Sequence, residues 1–325
     1  MDSVDQSGVF CISLDFELHW GVCPRLEVEA YKTNLEGTRR AISGMLSLFE
    51  QKKIHVTWAT VGFLFFDTKA ALMQHLPLRF PRYVQEKYST YRLMEQIGPD
   101  EQSDPYHFAA AAIEQIRAVP FQEIGTHTFS HYFCLEEGPD RSDFASDLSL
   151  AQKAATRHNL HLESIVFPRN QYGPEHIKVC AAHGIRQYRG NPDHWLYATR
   201  PRGDESLWVR AVRFLDHYMN IAGNITHPLP LIAADGLVNV PASRFLRPHH
   251  PRLYALEPWL IRRIKNEMTQ AAQKGHLYHL WWHPHNFGAH TAANLAVLEQ
   301  ILEHFEQLSD RYGMKSLNMK EVANV

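Results

Sequence analysis

Strand-like and helix-like segments alternate along nearly the whole 325-residue chain, and this alternation limits the possible folds more than any other feature. Apolar runs rich in strand formers, at 9–16, 54–61 and 276–282, are separated by stretches with apolar residues at helical spacing, at 39–50 and 291–312. Strand, helix, strand order produces parallel neighbours in a sheet. The pattern therefore predicts an α/β protein with a parallel barrel or a doubly wound sheet.

The remaining segments fit one domain, 1–325, with a single elaborated region. Residues 67–107 contain several prolines and the turn-like Gly98-Pro99-Asp100, which predicts a loop insertion with short helices. The other predicted helices are 108–118, 143–158, 174–183 and 254–274. The other predicted strands are 163–167, 185–188, 208–214 and 237–240.

Composition excludes several classes of protein. The net charge is -2, so no large basic surface points to nucleic acid or to an anionic membrane. No apolar run approaches the ~18 residues of a membrane span. Four cysteines without paired spacing indicate a reducing compartment. Because the first residues do not form a secretory signal pattern, we expect a cytoplasmic protein.

The segment Glu-Ile-Gly-Thr-His-Thr-Phe-Ser-His places His127 and His131 four residues apart. On one turn of helix these positions share a face, so both imidazoles can bind one ion. The alternative is a surface helix face or a pair of core histidines in a chain with 21 histidines. The apolar Tyr132, Phe133 and Cys134 that follow argue against a solvated face. Two histidines and a carboxylate with an open position are typical of hydrolytic zinc centres.

Asp15 and Glu17 end the first apolar strand and could complete this site. Carboxylates at i and i+2 of a strand point the same way, and such close like charges are costly unless a cation lies between them. One could bind metal while the other faces the substrate, and the sequence leaves open which does which. The alternative is a pair of loop carboxylates bound to Lys or Arg.

Further candidates follow later strands. Arg169 comes after strand 163–167, where a guanidinium can hold a carboxylate in a bidentate pair; the alternative, which the residue taken alone favours, is a surface arginine. His283 ends strand 276–282 and is a candidate general acid, with His285 as its competitor. The candidate substrate-binding residues are Trp20, Tyr172, Trp282 and His285.

In this order, the motifs resemble those of the polysaccharide deacetylase family, the NodB-homology carbohydrate esterases. The motifs are Leu14-Asp15-Phe16-Glu17, His127 to His131, Phe167-Pro168-Arg169 and Leu280-Trp281-Trp282-His283, with Ala59-Thr60-Val61-Gly62-Phe63 as a second-strand segment. The resemblance implies a distorted (β/α)7 barrel. Two departures are that Phe16 separates the two acids and that Pro168 precedes Arg169 instead of following it.

The resemblance also implies roles for these residues. Asp15 would be the base, and Glu17 would bind a divalent metal, Zn2+ by preference, together with His127 and His131. Arg169 would orient Asp15, and His283 would protonate the leaving amine. We therefore expect a metal-dependent hydrolase that removes an N-acetyl or other N-acyl group from an amino sugar of a polysaccharide or its precursor. The alternatives are an allantoinase-like cyclic-amide hydrolase and a non-catalytic sugar-binding barrel, and the oligomeric state stays open.

Overall fold

A computed structural model describes residues 7–197, 206–231, 233–234 and 236–325. The described strands are β1 Val9–Phe16, β2 Val56–Thr60, β3 Gln122–Thr126, β4 Ser164–Ile165, β5 Gln187–Tyr188, β6 His227–Pro228, β7 Ala233–Ala234, β8 Leu237–Asn239, β9 Arg244–Phe245, β10 His276–Trp282 and β11 Lys315–Ser316. The described helices are α1 His19–Val22, α2 Val28–Gln51, α3 Lys69–Met73, α4 Ala110–Ala118, α5 Arg141–Thr156, α6 Pro174–Ala182, α7 Leu207–Asp216, α8 Glu257–Lys274, α9 Thr291–Tyr312 and α10 Met319–Val322.

A row of parallel strands forms the centre of the molecule. Within the described ranges the row runs β10, β1, β2, β3, β4, β5, β8, and every neighbouring pair is parallel. Residues 237–245 connect the two ends of this row, because β8 pairs with β5 while β9 pairs with β10. The sheet therefore curls into a barrel of the predicted distorted (β/α)7 type, with antiparallel β6 and β7 added beside β10 and β8.

The sequence shows why these elements form. All eight residues of β1 are buried, as expected for a parallel strand covered on both faces. The apolar residues of α2 recur at helical spacing, and Ile42, Met45 and Phe49 are fully buried in the main core. Gly275 ends α8 in the left-handed conformation, with φ 67°, a position where a residue without a Cβ avoids strain.

One predicted element has the wrong type. Residues 208–214 were expected to be a strand, but they lie within helix α7. The hydroxyl of Ser206 caps this helix by accepting the N–H of Val209, and Leu207, Ala211 and Leu215 recur every fourth residue. The β-branched valines of this segment suggested a strand, whereas the cap and the four-residue spacing favour a helix.

The predicted insertion, 67–107, contains α3 and two short 3-10 helices, Glu86–Tyr88 and Thr90–Leu93. It packs against the barrel because Leu93, Met94 and Ile97 are buried in the main core. None of the helices in the described ranges combines the length and the apolar content needed to cross a bilayer.

Candidate active site

Most of the predicted site residues meet at one end of the barrel. Asp15 and Glu17 lie at the end of β1, His127 follows β3 and His283 follows β10. Because these strands are parallel, their carboxyl ends open on the same side, which is where barrels of this type place their active sites. A cleft of about 380 Å³ opens there, and its lining includes Asp15, Glu17, His131, Arg169, His283 and His285.

A carboxylate and two imidazoles form a compact cluster beneath the cleft. Glu17 Oε2 lies 3.2 Å from His127 Nε2 and 3.0 Å from His131 Nε2. All three side chains are buried, and one donor atom from each lies within 4.8 Å of the other two. The geometry brings together the three residues predicted as metal ligands, and the cluster could hold a divalent metal ion.

The hydrogen bonding of His127 tests whether these residues fit a cation. Its Nδ1 lies 2.8 Å from the carbonyl oxygen of Val166, which can only accept, so Nδ1 carries the proton. In the neutral ring, Nε2 then points its lone pair at Glu17 Oε2. Two lone pairs at 3.2 Å repel unless a proton or a cation lies between them. A carboxylate and two imidazole nitrogens suit Zn2+ and other divalent ions, so the donor set fits.

The two histidines do not share a helical turn, contrary to the sequence prediction. Residues 127–131 form a loop after β3, and Thr128 and His131 have left-handed backbones with φ of 65° and 57°. The Oγ1 of Thr128 accepts the N–H of Tyr132 at 2.7 Å, which closes the turn. The spacing still brings both imidazoles to Glu17, but through a tight turn instead of a helix face.

Asp147 on α5 holds this loop, and the sequence reasoning did not find it. Its carboxylate accepts the backbone N–H of Phe129 at 2.7 Å and that of Ser130 at 3.1 Å, and it also binds the hydroxyl of Ser130. Burial raises the pKa of Asp147 to about 6, although these hydrogen bonds oppose the shift. A buried acid in an otherwise amphipathic helix is the sequence signal that could have revealed it.

The guanidinium that holds Asp15 belongs to Arg189, not to Arg169 as predicted. Arg189 Nη1 and Nη2 donate to the two oxygens of Asp15 at 2.7 and 2.8 Å. Arg169 instead binds Glu136 at 2.7 Å and lies 4.0 Å from the centre of the Phe133 ring. The backbone turns sharply at Arg169, with φ of 56°, whereas Arg189 directly follows β5. A residue that ends a barrel strand is better placed to reach Asp15.

All five N–H donors of Arg189 have acceptors. Nη1 also donates to Ser13 Oγ at 2.9 Å, while Nε and the second Nη2 proton reach Asn170 Oδ1 at 3.2 and 2.8 Å. Ser13 in turn lies 2.8 Å from Nε2 of His279. Burial lowers the pKa of His279 to about 3, so this ring is neutral and can accept the serine proton. The guanidinium is therefore fixed on every side, and it fixes Asp15.

Both acids of the site are held in the ionised form. Burial alone would raise the pKa of Asp15, but the charge of Arg189 and of nearby imidazoles outweighs burial and lowers it. Burial likewise opposes ionisation of Glu17, yet the charge of His283 and the adjacent imidazoles of His127 and His131 bring its pKa well below the ordinary value. The cluster thus presents two buried carboxylates at neutral pH.

The structure separates the two candidate acids that the sequence left open. His283 Nε2 lies 3.7 Å from Asp15 Oδ2 and 3.6 Å from Glu17 Oε1, and 23% of its side chain is exposed in the cleft. His285 Nε2 lies 3.9 Å from Glu17 Oε1 and is almost fully buried. Burial, followed by the charge of His283, lowers the pKa of His285 to about 3. His283 is the imidazole that a substrate in the cleft would meet first.

Three of the four predicted substrate-binding residues are placed differently. Trp20 is fully buried, and its indole N–H donates to the carbonyl of His107 at 2.9 Å. Trp282 is fully buried and stacks on Phe287, and Tyr172 packs on the Phe167 ring. His285 does line the cleft.

Strand alternation explains the tryptophan error. Residues 281 and 283 of β10 and its extension face the same side, so Trp281 lines the cleft with His283 while its neighbour Trp282 points into the core. The ring of Trp281 also lies 4.2 Å from the guanidinium carbon of Arg189. Trp281 and Arg189 both follow the rule that identified Asp15 and His283, because each lies at the carboxyl end of a strand.

Comparison with known proteins identifies the architecture. No protein-family model and no curated protein sequence matches the chain. A solved structure described as a polysaccharide deacetylase, from Mycobacterium smegmatis, aligns with 100% of this chain and 92% of its own, at a TM-score of 0.62 and 13% identity. The chain has the polysaccharide deacetylase fold.

Two further structures show how far this likeness extends. A protein from Pseudomonas aeruginosa PAO1, also described as a polysaccharide deacetylase, aligns over 97% of this chain and 89% of its own, with a TM-score of 0.56 and 12% identity. The α-amylase AmyC from Thermotoga maritima aligns over 98% of this chain and 75% of its own, with a TM-score of 0.52 and 12% identity. Because the same barrel occurs with other activities, the function must be argued from the site itself.

Proposed function

We propose that the protein is a metal-dependent hydrolase that removes an N-acyl group, by preference acetyl, from an amino sugar of a polysaccharide or its precursor. One observation carries the proposal. The Glu17, His127 and His131 cluster lies beside Asp15 and His283 in one cleft, so a metal site, a base and an acid meet where a substrate can enter. This is the arrangement needed to hydrolyse an unactivated amide.

Glu17 Oε2, His127 Nε2 and His131 Nε2 would hold the ion, with Zn2+ as the preferred metal. Bound there, a divalent ion supplies Lewis-acid polarisation of the amide carbonyl and makes water easier to deprotonate. The left-handed turn at Thr128 and His131 and the contacts of Asp147 keep the two imidazoles directed at Glu17 before any ligand arrives.

Asp15 acts as the general base in this proposal. Its ionised carboxylate takes a proton from the water that attacks the carbonyl carbon, and Arg189 keeps both of its oxygens in a fixed direction. Asp15 is the better base of the two acids because both nearest imidazoles of the cluster point at Glu17. This geometry supports Asp15 as the base and Glu17 as the metal ligand, the two roles that the sequence left open to exchange.

His283 acts as the general acid. When the tetrahedral adduct collapses, its carbon–nitrogen bond breaks and the imidazolium of His283 gives a proton to the departing amine. His283 lies within 3.7 Å of both Asp15 and Glu17, so it can reach a leaving group held beside the proposed base. The Trp281 ring beside it offers an apolar face for the sugar ring.

The test compares two substrate classes on the purified chain. We expect release of acetate from N-acetylglucosamine oligosaccharides or acetamido-sugar nucleotides, loss of turnover after chelation and its return with added Zn2+. His131→Ala should lose turnover, while His161→Ala, a change at an exposed histidine outside the site, should keep it. Turnover of allantoin and not of acetamido sugars would support the cyclic-amide alternative. Sugar binding without metal or turnover would support a non-catalytic barrel.

A further inference from the structure

The proposed general acid, His283, has polar neighbours at both of its ring nitrogens. Nε2 faces the carboxylates of Asp15 and Glu17 at 3.7 and 3.6 Å. The second ring nitrogen, Nδ1, lies 3.3 Å from the side-chain nitrogen of Asn286. The amide of Asn286 therefore contacts the nitrogen that does not face the reacting groups, where it can orient the ring without blocking Nε2.

A short turn brings Asn286 back to His283. The 3-10 helix Pro284–Phe287 begins one residue after β10, and the N–H of Asn286 bonds to the carbonyl oxygen of His283 at 3.0 Å. Residues three apart in a 3-10 helix lie on the same side. The segment His-Pro-His-Asn thus folds an amide against the imidazole that follows the strand.

Tyr31 of α2 in turn holds Asn286. Its hydroxyl donates to Asn286 Oδ1 at 2.9 Å, and its ring lies edge-on to that of His285, with 5.5 Å between the centroids. Burial raises the pKa of Tyr31, so the hydroxyl keeps its proton and can both donate and accept. A chain of hydrogen bonds therefore runs from α2 through the amide to the ring of His283.

Helix α2 is fixed against this turn by close packing. Asn34 Nδ2, about one helical turn after Tyr31, donates to the carbonyl oxygen of His285 at 3.1 Å. A methyl group on Gly37 would collide with the backbone of Gly288, and one on Gly288 would collide with the backbone of Asn34. Backbones that approach this closely leave little room for a shift, so the tyrosine hydroxyl stays within reach of the amide.

The aromatic neighbours of His283 do not decide which edge of its ring faces the reacting groups. Phe245 and Trp281 lie 5.8 and 5.7 Å from the ring centre, and His285 stacks on the ring at 5.2 Å. Such packing restrains the plane of the ring, but a half-rotation about Cβ–Cγ exchanges Nε2 with the carbon Cε1 at small steric cost. The contacts of Nε2 at 3.6 and 3.7 Å are longer than hydrogen bonds. The amide at Nδ1 therefore distinguishes the two orientations.

An amide suits an acid that must give up a proton. With Nδ2 toward the ring, Asn286 donates to an unprotonated Nδ1; after a half-rotation, its Oδ1 accepts from Nδ1–H and its Nδ2 donates to the oxygen of Tyr31. When the imidazolium gives its Nε2 proton to the leaving amine, the electron pair stays on Nε2 and the proton on Nδ1 stays bonded to Oδ1. The ring can therefore keep its place before and after the transfer.

We propose that Asn286 and Tyr31 are positioning residues: Asn286 holds the ring of His283 with Nε2 directed at the departing amine, and Tyr31 holds Asn286. This role rests on the proposed function, in which His283 is the general acid. Neither side chain exchanges a proton with the substrate. Their contribution is therefore confined to the step in which the leaving group needs a proton.

Two substrates with different leaving groups test this role in the zinc-loaded enzyme. An amine must be protonated as it leaves, whereas 4-nitrophenolate leaves without a proton. Asn286→Leu, which keeps the shape of the side chain, should lower kcat on an N-acetylglucosamine oligosaccharide about 10–10²-fold with KM nearly unchanged, and kcat on 4-nitrophenyl acetate by about twofold at most. Tyr31→Phe should show the same selectivity, with a loss of about threefold to tenfold on the amide.

A double-mutant cycle tests whether the two residues act as one chain. Because Tyr31 reaches the ring through Asn286, Tyr31→Phe should have almost no further effect in the Asn286→Leu protein. Additive losses would overturn the chain. Equal losses on the amide and the ester would also overturn the proposal. So would a raised KM with normal kcat, because both side chains line the cleft and would then bind the sugar.

Asn34→Leu is the matched control, because Asn34 also joins α2 to the turn, through the carbonyl of His285. Any loss of kcat in this variant should be the same for the amide and the ester. A loss selective for the amide and as large as that of Asn286→Leu would overturn the proposal, since loosening of the turn would then be sufficient.

Neutron diffraction gives a readout that needs no turnover. In crystals soaked in D2O, N–D and C–H groups scatter with opposite sign, so the orientation of the His283 ring is visible directly. We expect one orientation in the wild type, with Nδ1 toward Asn286, and a rotated or doubled ring in Asn286→Leu. An unchanged ring in the variant would overturn the proposal. If the wild type hydrolyses no acetamido sugar, the proposed function fails, while the ring orientation still decides whether Asn286 positions His283.

Discussion

Each end of the barrel contains a carboxylate with several protein partners. The pKa values of these two carboxylates are shifted in opposite directions. At the carboxyl end, Asp15 faces the charged guanidinium of Arg189, and its pKa is lowered despite burial. At the amino end, burial raises the pKa of Glu123, and the hydroxyls of Ser164 and Thr57 together with Lys320 oppose this shift only in part. Hydroxyl dipoles satisfy the hydrogen bonds of a carboxylate, but they offset the loss of its hydration less than a full positive charge does.

The comparison shows how the partners of an acid decide whether its pKa is lowered or raised in this fold. Glu123 connects neighbouring strands and accepts the N–H of Lys320 in α10, which closes that end of the barrel. Asp15 makes contacts of similar number, but its cationic partner keeps it ionised beside a cleft. Asp15 is buried and Glu123 is half-buried, so it is the guanidinium of Arg189 that accounts for the lowered pKa of Asp15, the proposed base.

We expect the largest effect to be a difference in kcat between variants of Asp15 and of Glu123. Asp15→Asn removes the proposed base and should lower kcat by about 10²–10⁴-fold while zinc binding persists. The matched change Glu123→Gln should leave kcat within a few fold of wild type. Steady-state kinetics with metal analysis of both variants checks this. Equal losses would mean that Asp15 has no special chemical role.

A second change removes the cation that distinguishes Asp15. Arg189→Lys keeps the charge but loses the planar fork and two of five N–H donors, so kcat should fall about 10²-fold with metal content unchanged. Arg169→Lys should have a much smaller effect on kcat, since Arg169 binds Glu136. Kinetic comparison of the pair decides the matter. A larger loss in Arg169→Lys would restore the orienting role that the sequence suggested.

Asp147, another buried acid, allows the effect of burial on a carboxyl pKa to be tested by varying the pH. The pKa of Asp147, about 6 in the fold, exceeds the ~3.9 of an unfolded Asp, so the native state binds more protons between these values. Stability should therefore fall as pH rises from about 4 to about 6, by roughly 2–3 kcal/mol from this group. Urea unfolding of wild type and Asp147→Asn across that range isolates the slope. A constant difference between the two proteins would show that Asp147 is not shifted.

We expect the smallest effect from a change at Ser13, which contacts Arg189 and not the cleft itself. Ser13→Ala removes one of the two acceptors of Arg189 Nη1 and the partner of His279 Nε2, which should cost about 1–3 kcal/mol of unfolding free energy. A threefold to tenfold loss of kcat with unchanged KM should accompany it, on the order expected for a slightly misdirected Asp15. Kinetics and chemical unfolding measure both quantities. An altered KM with normal kcat would place the serine in binding instead.

Much of the fold follows from local patterns in the sequence. The buried run of β1 and helix α9 have the predicted bounds, because continuous apolar strands and long amphipathic helices with a terminal glycine leave little freedom. Residues 208–214 were misjudged since their valines favour a strand, while the cap at Ser206 and the four-residue spacing favour a helix. Propensity gave way there to capping and packing against the core.

The sequence predicted the residues of the site that follow strand ends, but it did not predict which distant residues contact them. Asp15, Glu17, His127, His131 and His283 could be found because each lies at or just after a strand end and has chemistry that local sequence displays. Which arginine reaches Asp15 depends on how closely the curled sheet brings distant strands together. The spacing of residues within one segment does not predict that distance.

The same limit applies to the aromatic residues. Trp281 and Trp282 are adjacent, and because successive side chains of a strand face opposite sides, only one of the two can line the cleft. Strand alternation with His283 assigns Trp281 to the cleft, and this signal was available in the sequence. The burial of Trp20 against Phe63 and His107 was not, because those partners come from distant segments.

Anomalous diffraction at the zinc edge, from crystals grown with Zn2+, tests the central claim most directly. We predict one strong peak within about 2.0–2.2 Å of Glu17 Oε2, His127 Nε2 and His131 Nε2, and its loss in His131→Ala. A peak elsewhere, or no peak while all three side chains keep their positions, would contradict the proposed metal centre and the hydrolytic function that depends on it.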